Sequence, residues 1–100
     1  MVEQVRVVWS ADARMQLKEV YKYIAKSSVQ NATKVRSDII NATRKIPLNP
    51  YLHTPDKYKV DNDGTYRAFE KHRYRIAYRV FEKEIRILRV RHTSMEPEGY

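Results

Sequence analysis

No cysteine occurs in the chain, which excludes disulfides, thiolate nucleophiles and thiolate metal sites, and a reducing compartment, the cytoplasm, is the expected location. Glycine is almost as scarce, with Gly64 and Gly99 the whole supply. A phosphate-binding loop needs several glycines so that backbone N–H groups can close on an anion, and these two cannot build one. Nowhere do about 18 apolar residues follow one another, and the opening MVEQVRVVWS is too polar for a signal peptide, so no membrane association is expected. His53, His72 and His92 fall in three separate segments without ligand spacing, so neither a metal site nor a cofactor is expected.

Positive charge is what the sequence has in excess. Twenty Lys and Arg stand against 12 Asp and Glu, a net +8, which favours nucleic acid, an anionic surface or an acidic protein as partner without fixing any reaction. The excess is uneven: residues 65–92 hold 9 basic and 3 acidic residues, net +6, against +4 (11 less 7) over residues 1–64 and −2 over the last eight. A chain of 100 residues that is 42% hydrophobic supports one domain, residues 1–100, around a single core.

Periodicity places the elements. Val5, Val7 and Trp9 alternate with Arg6 and Val8 as a short first strand, expected to be buried on most of both sides. Ser10 is a helix cap, and Ala13, Leu17, Val20, Tyr21, Ile24 and Ala25 form one apolar face of a helix over about residues 11–27. After Ser27, Ser28 and Asn31 the three-and-four spacing resumes at Ala32, Val35, Ile39, Ala42, Thr43 and Ile46, and Pro47 ends it. Residues 47–64, with three prolines, two asparagines and a glycine, read as a long loop. TYRAFEK, HRYRIAYRV and EIRILRVRH are three strands of a meander. The expected fold is α+β in the order β-α-α-β-β-β, with an N-terminal helical hairpin packed on one face of a small, mostly antiparallel sheet.

A hairpin tip at Glu82 and Lys83 predicts two faces. Val80 then opposes Ile85, Tyr78 opposes Ile87, Ile76 opposes Arg89 and Tyr74 opposes Arg91 beneath the helices. On the other face Arg79 meets Arg86, Ala77 meets Leu88, Arg75 meets Val90 and Arg73 meets His92. Arg73, Arg75, Arg79, Arg86, Leu88, Val90 and His92 are the candidate binding groove, in which the opposed Arg79 and Arg86 repel unless splayed or bridged by an anion. Neither paired carboxylates nor a Ser-His-Asp arrangement is signalled. What the sheet can offer is phosphodiester cleavage through an RNA 2′-OH, with guanidinium groups on the developing charge and His92 or a Tyr for proton transfer.

With the elements placed, WSADARMQLKEVYKYIA, the Pro-ended second helix, YRAFEKHRYRIAYRV and IRILRVRHTSMEP resemble the RelE/ParE superfamily of type II toxin-antitoxin toxins, over Val5 to about Pro97. The W-S-x-x-A opening, the YIA ending and the YRIAYRV to RVRH hairpin are similar to the ParE-like, plasmid-stabilisation branch. The resemblance implies a growth-inhibiting toxin neutralised by a small cognate antitoxin, assembled as a homodimer or a hetero-oligomer with that antitoxin. RelE-like members cleave mRNA at the ribosome, whereas ParE-like members block DNA gyrase, and fold does not decide between them. Carried over from the nuclease branch, the catalytic candidates are Arg67, Arg75, His92 and Tyr100. Phe69 stands where a lysine and Thr93 where an arginine is expected, so the overall pattern leans toward gyrase inhibition. A ribosome-dependent mRNA endonuclease and a non-toxic basic nucleic-acid-binding module are the alternatives.

Overall fold

In the computed structural model, which describes residues 5–95 and 99–100, the apolar periodicities become the elements they foretell. These are β1 (Arg6–Trp9), α1 (Ala11–Ala25), α2 (Val29–Arg44), a single 3-10 turn (Ile46–Leu48), β2 (Tyr66–Lys71), β3 (Tyr74–Val80) and β4 (Glu84–His92). Ser10 and Ser28 cap the two helices, accepting the N–H groups of Ala13 and Asn31, each at 3.0 Å. An α-helix could not run through Pro47, whose ring would meet the carbonyl of Thr43 four residues back. The chain therefore tightens into the 3-10 turn, which still carries Ile46 into the core.

The sheet order is β1-β4-β3-β2, with β1 parallel to β4 and the other pairs antiparallel. Contrary to expectation, β1 is not buried on both sides. It is an edge strand with β4 as its neighbour, Val7, Val8 and Trp9 half-buried and Arg6 exposed. The helical hairpin covers one face of the sheet, and the core joins Leu17, Val20, Val35 and Ile39 to Tyr74, Ile76, Tyr78 and Val80 of β3 and to Ile85 and Ile87 of β4. Each such side chain contributes roughly 1.5–3 kcal/mol by leaving water. Tyr78 is fully enclosed because its hydroxyl donates to the Pro50 carbonyl at 2.8 Å, and burial pushes its phenol up to about 12.

The β3–β4 register follows expectation near the tip: Val80 faces Ile85, Arg79 faces Arg86 and Tyr78 faces Ile87. It then slips by one, because Leu88 bulges out of β4 between Tyr78↔Ile87 and Ala77↔Arg89. Beyond the bulge Ile76 faces Val90, Arg75 faces Arg91 and Tyr74 faces His92. The slip removes an inconsistency of the expected pairing, which put Arg89 and Arg91 beneath the helices. Val90 enters the core instead, 3% exposed, and both arginines move to the open face. Side chains of α1 and its cap satisfy the disturbed ladder: the Ser10 hydroxyl donates to the Leu88 carbonyl at 3.1 Å, and the Gln16 side-chain oxygen accepts the Val90 N–H at 2.6 Å.

Arg73 also departs from its expected place. It is not a strand residue facing a groove but half of the β2–β3 turn, where His72 and Arg73 have φ of 52° and 67°. Two-residue hairpins favour this turn because its twist matches the strands, yet a side chain at positive φ is strained. Arg73→Gly is expected to stabilise the protein by about 0.5–1 kcal/mol, read as a higher urea midpoint at unchanged slope. His72 is the poorer choice, since its ring lies 2.7 Å from Asp38 of α2 and ties the turn to the helix.

Candidate functional site

The face of the sheet away from the helices carries Tyr66, Ala68 and Glu70 from β2, Arg75, Ala77 and Arg79 from β3, and Arg86, Arg89 and Arg91 from β4, as the register requires. Arg79 and Arg86, directly opposed, solve their repulsion without an external anion. Arg86 bonds Glu84 at 2.8 Å, Arg79 reaches Asp63 at 3.9 Å, and both guanidinium groups rest against the Phe81 ring, at 4.8 and 4.9 Å. Arg79 also lies 4.7 Å from the Tyr66 ring, Arg75 lies 5.0 Å from Tyr58, and Arg89 lies 4.1 Å from Tyr100. Rings between the cations separate like charges, so the face holds its positive potential in a fixed pattern.

Beneath this layer sits a carboxylate that no sequence pattern announced. Asp56 is 2% exposed. One of its oxygens accepts from Arg75 at 3.0 Å and from the Tyr58 N–H at 3.1 Å, and the other accepts the Tyr100 hydroxyl at 2.5 Å. Residues 54–56 reach this position by lying antiparallel along the outer edge of β2, with the Asp56 N–H donating to the Tyr66 carbonyl and the Ala68 N–H to the Thr54 carbonyl. The Asn62 side chain fastens the returning loop by bridging the carbonyls of Asp56 and Tyr66, and Gly64 takes the positive φ that the turn after it demands.

Charge balance follows from these contacts. Burial by itself would raise the Asp56 carboxyl, but the bonds from Tyr100, Arg75 and the Tyr58 amide outweigh it and hold the group below the ordinary carboxylate range. Burial and the Asp56 carboxylate both push the Tyr100 phenol far above its ordinary value, so it stays protonated and donates. A carboxyl depressed by folding stabilises the native state above its unfolded pKa, and that stability is lost as pH falls through the folded value. The melting temperature is therefore expected to hold from neutrality to about pH 5 and to fall below about pH 4, where an unfolded Asp takes its proton first. Asp56→Asn, starting lower, should show a shallower acid slope in the same thermal melts.

The sequence-derived catalytic candidates fall in different places. Arg75 and Tyr100 meet through Asp56. Arg67 lies on the opposite, helix-side face, its Cα across from Tyr78, and its guanidinium donates to the carbonyls of Gly64 at 2.8 Å and His53 at 3.1 Å. His92 stands across from Tyr74 at the sheet end, its ring edge-on to that tyrosine at 5.1 Å. Its Nδ1 accepts the Ser94 N–H at 3.0 Å, which leaves the proton of the neutral ring on Nε2. His92 does share a recess of about 50 Å³ with Arg75, Arg89 and Arg91. A space of that size takes a water or two and is far below the roughly 300 Å³ of a small-molecule pocket. Of the groove candidates, Arg75, Arg79 and Arg86 are on the open face, Leu88 is the half-buried bulge beside it, and Val90 and Arg73 are elsewhere.

Among the described residues no cluster of His, Asp and Glu could hold a metal ion, and no helix is long and apolar enough to cross a membrane. Comparison with curated proteins finds no match. Solved structures do match in fold. The chromosomal ParDE toxin-antitoxin system from P. aeruginosa superposes with a TM-score of 0.73 at 21% identity, over 91% of this chain and 98% of that one. The RelBE2 toxin-antitoxin complex from Mycobacterium tuberculosis gives 0.63 at 17% identity, over 91% and 99%. The YoeB dimer from Staphylococcus aureus gives 0.56 at 22% identity, over 89% and 97%. The sequence profile of the ParE toxin of the type II toxin-antitoxin system parDE matches residues 7–97. With the helical hairpin, the four-stranded mixed sheet and nearly the whole chain accounted for, this protein belongs to the ParE toxin family of type II toxin-antitoxin systems.

Proposed function

We propose that this toxin arrests growth by blocking DNA gyrase through its arginine face, and that a small cognate antitoxin neutralises it. The observation that carries the reading against RNA cleavage is the dispersal of the candidate nuclease groups. Arg67 and Arg75 lie on opposite faces of the sheet, and Arg75 and Tyr100 are both engaged with a buried carboxylate. A general base or acid must exchange its proton near the working pH, and a phenol held as far up as that of Tyr100 does not. The arginine face, by contrast, is a broad surface of fixed charge, suited to a protein or protein–DNA target. The antitoxin partner rests on the family and on similar folds solved as ParDE and RelBE2 systems.

Purified toxin added in excess to gyrase and relaxed plasmid is expected to abolish ATP-dependent supercoiling, and undiminished supercoiling would overturn the reading. One feature favours mRNA cleavage instead: Arg75, Arg91 and His92 share the small recess at the sheet end. That alternative requires cuts at ribosome-bound codons on toeprint gels, lost in His92→Ala. Harmless overexpression of the chain would favour the third class, a non-toxic nucleic-acid-binding module.

A further inference from the structure

Among the described residues, Leu48, Tyr51 and Leu52 gather three exposed large apolar side chains within five positions of the loop after α2. Leu48 is 86% exposed and Leu52 71%, more than any other large apolar residue described. A single exposed leucine is ordinary, whereas a cluster marks a surface that another molecule covers.

This loop is held in shape from two sides. Locally, the N–H groups of Leu48, Asn49 and Leu52 donate to the carbonyls of Lys45 at 3.1 Å, Ile46 at 3.0 Å and Asn49 at 3.1 Å. From the sheet, the enclosed Tyr78 holds the Pro50 carbonyl at 2.8 Å, and Arg67 holds the His53 carbonyl at 3.1 Å with its guanidinium 4.9 Å from the Tyr51 ring. Arg67 is thus a brace of the loop. Apolar groups already fixed in place lose little freedom when a partner covers them, which favours binding.

The apolar tip has a basic border. Leu48, Leu52, Lys45 and Lys71 line a hollow of about 510 Å³. Asp38 lines it too, but its carboxylate is already bonded to His72 at 2.7 Å and to Lys34 at 3.2 Å. Lys45 and Lys71 are exposed, and among the described residues neither side chain is held in an ion pair. Aliphatic groups against the leucines and carboxylates at the lysines are the chemistry that this border accepts. A second copy of this chain is a poor occupant, because a twofold contact here would gather four uncompensated lysines. Four positions beyond Leu52 comes Asp56, which bonds Arg75 beneath the arginine face. The tip and the edge of that face are therefore at most about 14 Å apart along the chain, close enough for one partner to meet both.

We infer that residues 48–52 are a second docking element of the toxin, with Leu48, Tyr51 and Leu52 seated in an apolar cleft, bordered by carboxylates, on the same protein that the arginine face meets. The inference rests on the proposed block of gyrase and assigns a second contact, with its chemistry, on that target.

The test is the full chain carrying Leu48→Ser and Leu52→Ser. Both positions are exposed, so the melting temperature should stay within about 4 °C of the wild type. The half-inhibitory concentration for gyrase supercoiling is expected to rise tenfold or more, and affinity for immobilised gyrase to fall by the same factor. Lys45→Gln with Lys71→Gln should raise it about threefold at low salt and less at high salt, where exposed charges are screened. Unchanged inhibition by the lysine pair would overturn the carboxylate border. Light scattering that shows a dimer for the wild type and a monomer for the serine pair would make the occupant a second copy. Sedimentation of the wild type, but not of the serine pair, with phosphatidylglycerol vesicles would make it a lipid surface. A serine pair that blocks gyrase fully yet escapes the cognate antitoxin on co-expression would make it the antitoxin, and each of these three results overturns the inference. Wild type that leaves supercoiling untouched sinks the gyrase reading and this contact with it, whereas equal inhibition by wild type and serine pair sinks this inference alone.

Discussion

Asp56→Ala is expected to lower stability by about 3–5 kcal/mol, the usual consequence of removing one partner from a buried ion pair. The size follows from what remains. Arg75, with 16% of its side chain exposed, keeps its charge and would be left with the Glu70 carboxylate at 3.4 Å and the Tyr58 ring, and its buried Nε already has no hydrogen-bond partner. Tyr100 loses the acceptor for a buried hydroxyl, and the Tyr58 amide loses its oxygen. For a chain of this length the melting temperature should drop on the order of 15 °C or more. Arg75→Ala, which strands the carboxylate instead, should cost a similar amount. The double variant should fall short of the summed losses by at least about 1 kcal/mol, because each substitution removes the same pair. Thermal melts of the three variants decide this, and a loss under about 1 kcal/mol for Asp56→Ala would show that the contacts add little.

The largest functional effect is expected from Arg79→Ala combined with Arg86→Ala. The half-inhibitory concentration for gyrase supercoiling should rise tenfold or more, which corresponds to about 1.4 kcal/mol of lost binding. Alanine is a cleaner choice than glutamate, since a carboxylate at either position would face Asp63 or Glu84 and disturb the fold on its own account. Stability should change by about 1 kcal/mol or less, because the two ion pairs are partly exposed and screened by solvent. Unchanged inhibition by this pair would move the target contact off the arginine face.

Most of the scaffold could be read from the chain. Ser10 before an apolar three-and-four series, Pro47 after another, and the alternation Tyr74, Ile76, Tyr78, Val80 each fixed a local element and its inward side. Apart from Arg73, which a tight local turn removes from the strand, the failures share a cause: they depend on residues distant in sequence. The bulge at Leu88 is met by Ser10, the cap of α1, 78 positions from Leu88, and by Gln16 of α1, 74 positions from the Val90 whose N–H it accepts, and no local pattern in β4 marks it. With the register slipped, Val90 left the expected groove while Arg89 and Arg91 joined the open face. Asp56 was hidden for a related reason. It lies in a stretch rich in Pro and Asn, and only the return of that loop along β2 brings it to Arg75 and Tyr100. A buried carboxylate within a polar loop carries no periodicity to betray it.

The parallel pairing of β1 with β4 bears on how the chain reaches its native state. Arg6 pairs with Glu84 and Trp9 with Ile87, so nearly the whole chain must be closed into one loop before this pairing forms. The entropy of that closure is lost before any contact compensates it, whereas the β2–β3 and β3–β4 hairpins close over a few residues. The order of assembly that follows is hairpins and helices first and β1 last, with the Ser10 hydroxyl on the Leu88 carbonyl as a late fastening. The same strand is then the first to detach from the folded protein, so its amides should exchange through a smaller opening than those of β3. Under native conditions the first segment to come loose is therefore the one that gives the sheet, among the described residues, its parallel pair.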